Sequence, residues 1–185
     1  MIWRLLKIII IPLIKNFYKL RIHVQGRDNV PTSGAVIILG NQTNFISTLA
    51  VESVLRRKVY WAVSPSVCKT KLLRLIFKTF CGCFLLETER ADTRGFRSAF
   101  KKLRSSKILA FYPGIVNRGV ALFCLRSDYN ILPMAITQEA LHPNRIKITF
   151  GSVFNLSEYQ RIVINVKNIE DLIQNINQSI ELLRQ

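Results

Sequence analysis

A cluster of amide and hydroxyl side chains lies in residues 39–47, LGNQTNFIS, directly after the apolar run AVIIL. The helix-like sequence TLAVESVLRR follows, so these residues are predicted to form a turn between a buried strand and a helix. Such turns lie where α/β proteins bind their ligands, but no amide or hydroxyl takes up a proton near neutral pH. The turn therefore has the position of an active site without an acid or a base. Its polar residues are Asn41, Gln42, Thr43, Asn44 and Ser47.

Few other groups in the sequence suit catalysis or metal binding. His23 and Asp28 have His-x4-Asp spacing, but they lie in HVQGRD, a predicted strand running into a turn, and we interpret His23 as a strand side chain. The other histidine, His142 in LHPN, is interpreted as a surface turn residue. Either histidine stays open as a base. The cysteines show no established metal-ligand spacing, so we expect buried thiols and no metal site. They are Cys68, Cys81, Cys83 and Cys124.

Strand and helix patterns alternate along the 185 residues from residue 20 onward. Strands separated by helices predict one α/β domain with a mixed, largely parallel central sheet flanked by helices. An antiparallel pair is expected where a loop joins the runs at 131–136 and 146–150. The predicted strands are residues 20–26, 35–40, 59–63, 82–87, 107–113, 131–136 and 146–151. The predicted helices are residues 48–58, 69–80, 94–106 and 168–185.

The net charge of the chain is strongly positive, +16, and unevenly distributed. Residues 1–120 carry 21 Lys and Arg against 5 Asp and Glu, whereas residues 121–185 carry 6 of each kind. A basic part beside a neutral part indicates an anionic partner, either nucleic acid or an anionic lipid surface. The sequence contains no common nucleic-acid-binding module and no aromatic stacking platform, which favours the lipid surface.

Residues 1–19 are predicted to form a membrane-interface helix that precedes the domain at residues 20–185. The uninterrupted apolar run at residues 8–14 is too short to span a bilayer, and basic and aromatic residues flank it. This pattern is typical of a helix lying on an anionic leaflet, and it predicts a peripheral or monotopic protein on the cytoplasmic face of a membrane. Two alternatives stay open: a signal peptide, although no small-residue cleavage site follows, and a helix docked on the protein's own core.

The order of these elements and turns resembles the glycerolipid acyltransferase family, which includes the lysophosphatidate (1-acylglycerol-3-phosphate) acyltransferases. The segment VQGRDNVPTSGAVIILGNQ stands where that family has a strand, a Pro-containing turn and a buried strand leading into Asn-His-x4-Asp. GCFLLETER stands where it has Gly-x-Ile-Phe-Ile-Asp-Arg, AFYPGIVNRG where it has Phe-Pro-Glu-Gly-Thr-Arg, and ILPMAI where it has a Val-Pro-Val-Ala-Ile block. The resemblance covers nearly the whole chain and implies the family's glycerol-3-phosphate acyltransferase-like fold.

The resemblance also implies a catalytic turn that has lost its base. In the family, the histidine removes a proton from a glycerol hydroxyl that attacks an acyl thioester, and the aspartate orients and supports the imidazole. Here Gln42 stands at the histidine position and Ser47 at the aspartate position. A carboxamide is not a usable base, and general-base assistance is worth about 10²- to 10⁴-fold. Catalysis at these two positions is therefore expected to be impaired.

The substrate-binding residues that the resemblance implies are altered as well. The glutamate of Pro-Glu-Gly-Thr-Arg is Gly114 and its arginine is Asn117, with Arg118 one residue late. In FLLETER the family's aspartate is Glu87, and Arg90 lies two positions late. Either arginine suits bidentate phosphate binding, and either is equally well explained as a solvated surface charge. The predicted substrate-binding residues are Asn41, Glu87, Arg90, Gly114, Asn117 and Arg118.

Three functions follow as hypotheses. The first is a membrane-associated, acyltransferase-like protein that has lost catalysis but keeps a lysophospholipid or acyl-donor site, with an active paralogue as a further candidate partner. The second is an active acyltransferase with an unconventional base, using acyl-CoA or acyl-carrier protein as the donor. The third, raised by the charge alone, is a nucleic-acid-binding protein. No cofactor is expected beyond the acyl donor.

Overall fold

The computed structural model describes residues 12, 16, 19–41, 44–64, 83–86, 93–112, 116–139, 142, 144–154, 156, 159 and 166–185. Its strands are Arg21–Gln25 (β1), Val36–Gly40 (β2), Val59–Val63 (β3), Phe84–Leu85 (β4), Ile108–Tyr112 (β5), Ile131–Gln138 (β6) and Arg145–Phe150 (β7). Within the described residues they form one sheet in the order β1-β7-β6-β2-β5-β3-β4.

The sheet is mixed and largely parallel. Strands β6 and β7 pair antiparallel, with Met134 opposite Phe150 and Gln138 opposite Ile146. The other neighbouring pairs are parallel, so β1 and β7 run opposite to the remaining strands. The predicted sheet, including its antiparallel pair, is confirmed.

Helices cover both faces of the sheet and divide the core into two layers. Helix α1 packs on one face, and α2, α3 and α4 pack on the other. Strand β2 is buried throughout, as expected of a central parallel strand. Its Val36 and Ile38 side chains enter the layer under α1, whereas Ile37 and Leu39 enter the opposite layer. The helices are Phe45–Val54 (α1), Thr93–Arg104 (α2), Arg118–Ser127 (α3) and Val166–Leu182 (α4).

Two helices differ from the prediction. The helix expected at residues 48–58 begins three residues earlier and ends at Val54, because Asn44 caps its start and Leu55 adopts extended backbone. No helix was predicted at α3, which the structure places between β5 and β6. The predicted helix at residues 69–80 lies outside the described residues, as do all but three residues of the predicted interface helix at 1–19.

Arg57, which follows α1, joins two separate loops through its side chain. The guanidinium of Arg57 donates to the carbonyl of Pro31 at 2.7 Å and to that of Ser106 at 2.8 Å. It also donates to carbonyls at residues 33–34, and burial lowers its pKa. The extended backbone at Leu55 lets the chain turn so that the guanidinium reaches these carbonyls, which accounts for the early end of the helix.

An Arg57→Met variant should lower the free energy of unfolding by about 1–2 kcal/mol, because the guanidinium's bonds are lost while the partly exposed carbonyls regain water. The neighbouring Arg56 is exposed, and an Arg56→Met control should change stability by less than about 0.5 kcal/mol. Urea unfolding followed by circular dichroism measures both. Equal losses in the two variants would contradict this role for Arg57.

Candidate functional site

The strands β2 to β6 all run in one direction, so their carboxyl ends lie at one edge of the sheet, which we call the carboxyl edge. Three motif-like segments of the sequence run through the ends of β2, β4 and β5, which lie at Gly40, Leu85 and Tyr112. The fourth, ILPMAI, begins β6, which neighbours β2. Open α/β sheets bind ligands outside the carboxyl ends of their strands. The topology therefore brings the carboxyl ends of the four strands that these segments contain to the edge where a ligand is expected.

The structure describes half of the predicted site residues. Those in the described ranges are Asn41, Ser47, Asn117 and Arg118. Those that lie outside the described residues are Gln42, Glu87, Arg90 and Gly114.

Asn41 joins the ends of β2 and β6. Its Nδ2 donates to the carbonyl of Ile136 at 2.9 Å, and its Oδ1 accepts from the N–H of Ile136 at 2.6 Å. The regular pairing of the two strands reaches Gly40, opposite Met134. The Asn41 amide thus continues the ladder with a side chain in place of a peptide group, which fixes the start of the β2–α1 turn.

Asn44 and Ser47 form the amino-terminal cap of α1. Asn44 Oδ1 accepts from the backbone N–H of Ser47 at 2.7 Å and from its hydroxyl at 2.8 Å. Asn44 Nδ2 donates to Oε1 of Gln138, on β6, at 3.2 Å. Ser47 is only 3% exposed. Its hydroxyl is thus engaged in the cap, a common role for short polar side chains at a helix start.

Asn117 and Arg118 begin α3. Asn117 Oδ1 accepts from the N–H of Val120 at 2.9 Å, which makes Asn117 the amino-terminal cap of this helix. Arg118 occupies the first helical position and is exposed. Because α3 follows β5, its positive end and the Arg118 guanidinium lie on the side of the carboxyl edge, where both favour an anion.

Only His23, of the two histidines, is separated from the β2–α1 turn by intervening strands. His23 is exposed on β1, which is separated from β2 by β7 and β6. Three strand spacings place it about 14 Å from the line of β2. His142 is exposed in the loop between β6 and β7, where its N–H donates to the carbonyl of Glu139 at 3.1 Å. The position of His23 therefore does not match that of a base on the turn.

Glu52 is a buried carboxyl that the sequence pattern did not single out. It is 2% exposed on α1, and its Oε1 accepts from Nε1 of the buried Trp61 at 3.1 Å. The signal for it is a lone acidic residue among the apolar residues of TLAVESVL. Five positions beyond Ser47, it lies about 7.5 Å further along the helix. It therefore belongs to the core beneath the turn.

Within the described ranges, no group of three or more His, Cys, Asp or Glu side chains could hold a metal ion. Cys83 and Cys124 are both buried, and burial raises the pKa of the Cys124 thiol far above its ordinary range. A thiol in that state is unreactive. None of the helices in the described part of the chain combines the length and hydropathy that a membrane span requires.

The sequence matches no protein-family model and no curated protein sequence. Its structure resembles the crystal structure of the 1-acyl-sn-glycerophosphate (LPA) acyltransferase PlsC from Thermotoga maritima, with a TM-score of 0.63 and 13% sequence identity. The match covers 96% of this chain and 81% of that one. The chain has an LPA acyltransferase fold. At this identity the likeness establishes the fold alone, and it confirms the fold that the motif-like segments predicted.

Proposed function

We propose that this chain is a membrane-associated, acyltransferase-like protein of glycerophospholipid metabolism whose catalytic turn has lost its base. The observation that carries the proposal is the order of the motif-like segments on this fold, since each includes part of a strand that reaches the carboxyl edge. The acceptor is a lysophospholipid, and the donor is acyl-CoA or acyl-carrier protein. The test is acyl transfer from a radiolabelled acyl-CoA to lysophosphatidate by the purified protein.

The chemistry at the turn argues for impaired catalysis. Acyl transfer requires loss of a proton from the acceptor hydroxyl as its oxygen attacks the thioester carbonyl and the thiolate leaves. Gln42 can donate and accept hydrogen bonds but cannot take up that proton. Ser47 brings no negative charge, and its hydroxyl donates to Asn44. Positioning of the substrates alone leaves slow turnover at most.

The residues around α3 support phosphate binding on this side of the sheet. We assign that role to Arg118, because an exposed guanidinium at the start of a helix is well suited to a phosphate. Asn117 replaces the family's arginine and caps α3, so it contributes by holding Arg118 in place. Arg90 is proposed as a second phosphate ligand.

The alternative is an active acyltransferase with an unconventional base. His142 is the histidine that favours it, since the β6–β7 loop begins at the carboxyl edge. His23 has the family's spacing to Asp28, but β1 puts it three strands from β2. If His23 were the base, the acceptor would have to bind over β6 and β7 instead of over the β2–α1 turn. Substituting each histidine by alanine separates this alternative from the proposal.

Deleting residues 1–19 should release the protein from anionic liposomes. The deleted segment carries the apolar run at 8–14 and its flanking basic and aromatic residues, which together favour an anionic interface. Raising the salt concentration should weaken binding of the intact chain, because salt screens the basic residues. Flotation with vesicles measures both effects. A truncated chain that floats as well as the intact one would show that this segment is not the anchor.

The same preparation tests the nucleic-acid alternative. Under physiological salt, the intact chain should float with phosphate-bearing liposomes and leave RNA and DNA unshifted in an electrophoretic assay. A shift at salt concentrations that abolish liposome binding would favour nucleic acid as the anionic partner.

A further inference from the structure

One face of the sheet stays polar at the β1 edge. The sequences RIHVQ of β1 and RIKITF of β7 alternate polar and apolar residues. Their isoleucines, Ile22 and Ile146, join the core layer under α1. The opposite face carries the polar members of each strand, aligned by the pairing of Arg21 with Arg145 and of His23 with Lys147. Strand β6 extends this face, because Thr137 pairs with Lys147.

These side chains line a cavity of about 360 Å³, which we call the basin. The volume falls within the range of small-molecule sites. The basin is rich in positive charge. Its one carboxylate, Glu139, forms an ion pair with Arg145 at 3.2 Å. The charged and titratable residues that line it are Arg21, His23, Glu139, Arg145 and Lys147. Three permanent cations and one carboxylate give the lining a net positive charge, which favours an anionic ligand.

The basin adjoins the candidate site. Because β1 and β7 run opposite to β6, their amino-terminal residues lie at the carboxyl edge. Gln138 lines the basin and accepts a hydrogen bond from Asn44, the cap of α1. The central strand of the basin, β7, is two strands from β2, which corresponds to about 10 Å. The wall of the basin on β6 thus touches the turn, whereas a ligand whose anionic group is held on β7 and β1 can reach the turn only if it is elongated.

We propose that the basin binds a phosphate of the acyl donor's phosphopantetheine arm, with Lys147 and Arg21 as its principal ligands. The inference rests on the proposed acyltransferase-like function. The distance of Lys147 and Arg21 from the β2–α1 turn decides whether the ligand is the lysophospholipid acceptor or the acyl donor. In lysophosphatidate the acceptor hydroxyl is only a few covalent bonds from the phosphorus atom, which is too short a reach. In coenzyme A and in holo-acyl-carrier protein, a whole pantetheine arm separates the sulfur from the nearest phosphate.

Binding of coenzyme A to the full-length chain, measured by calorimetry, tests the basin without requiring turnover. Lys147→Gln should weaken binding about tenfold, as expected for loss of a charge-assisted hydrogen bond, and Lys147→Arg should restore most of the affinity. The matched control is Lys101→Gln, an exposed lysine on α2, which should change the affinity by less than about twofold. Pantetheine, which has no phosphate, should bind the wild type and Lys147→Gln equally.

Two further experiments identify the ligand and locate its binding site. Comparing the binding of holo-acyl-carrier protein with that of its apo form shows whether the basin takes phosphopantetheine that is attached to a carrier protein or only the phosphopantetheine of free coenzyme A. Coenzyme A should also shift the imidazole resonances of His23, which lines the basin, more than those of His142, which does not. Equal affinity of Lys147→Gln and Lys101→Gln for both donors would overturn the inference, as would a Lys147-dependent binding of lysophosphatidate alone.

Failure of this inference is distinguishable from failure of the proposed function. If the chain binds coenzyme A through Lys147 but no variant transfers an acyl group, the proposed ligand of the basin is supported and the proposed function is contradicted. An active variant whose KM for the donor is unchanged by Lys147→Gln rejects the basin and keeps the function.

Discussion

A Gln42→His/Ser47→Asp double variant is expected to transfer acyl groups at least about a hundredfold faster than the wild-type chain, because it restores both a general base and the carboxylate that orients it. The gain depends on Arg118 and the neighbouring groups still holding the acceptor phosphate. Gln42→His alone should give little activity, since an imidazole without its carboxylate is poorly oriented and its charged form is unsupported.

The cap of α1 limits what Ser47→Asp can do by itself. The Ser47 hydroxyl donates to Asn44 Oδ1 at 2.8 Å, and an aspartate at this position would face that oxygen with another acceptor. The Asn44 amide must then rotate and give up its bond to Gln138, although a negative charge in the first turn of a helix is favourable. We expect Ser47→Asp to lower the free energy of unfolding by about 1 kcal/mol and to remain inactive.

Ser47→Ala is the control for the double variant, because it loses the same hydroxyl without adding a carboxylate. Gln42→His/Ser47→Ala should be no more active than Gln42→His. If that variant were as active as Gln42→His/Ser47→Asp, the carboxylate would have no role in the restored reaction. If no variant gained activity while acceptor binding persisted, the turn at residues 39–47 would not be the catalytic one.

Asn41→Ala is expected to lower the free energy of unfolding by about 2–3 kcal/mol. The substitution leaves both the N–H and the carbonyl of Ile136 without the Asn41 amide, and Ile136 is only 7% exposed. Unsatisfied buried groups cost more than the average hydrogen bond contributes. Asn41→Asp should be intermediate, since it keeps an acceptor for the N–H but turns an oxygen toward the carbonyl. Urea unfolding measures each value.

Asn144→Ala is the matched control for Asn41→Ala. The Asn144 amide makes an exposed hydrogen bond to the carbonyl of Lys19 at 3.2 Å, so its loss should cost less than about 1 kcal/mol. Similar losses for the two alanine variants would contradict the role of Asn41 in joining β2 and β6. A stable Asn41→Ala protein with weakened acceptor binding would instead make Asn41 a ligand.

The fold was predictable because its central elements carry strong local patterns. The apolar run of β2 is buried on both faces, and Ile169, Leu172, Ile176 and Ile180 form the buried stripe of α4 at helical spacing. Helix α3 was not predicted, because GVALFCL is apolar all round and follows closely on Pro113 and Gly114, residue types that are common in turns. The spacing of Val120, Phe123 and Cys124, all buried, was the signal for a helix there.

The site was less predictable, because its geometry depends on contacts that are distant in the sequence. Asn41 meets Ile136, which is 95 residues away. The basin exists only because β1 pairs with β7, near the opposite end of the chain. Resemblance to a family could point to Asn41 and Ser47, but the local pattern could not reveal that one extends the sheet and the other completes a helix cap.

Acyl transfer from a radiolabelled acyl-CoA to lysophosphatidate, compared between the purified wild type and Gln42→Ala, tests the loss of the base most directly. We expect the two proteins to be equally slow and both to fall at least about a hundredfold below the Gln42→His/Ser47→Asp variant. Robust turnover by the wild type that survives Gln42→Ala would contradict the loss of the base. Abolition of that turnover by His23→Ala or His142→Ala would then identify the base.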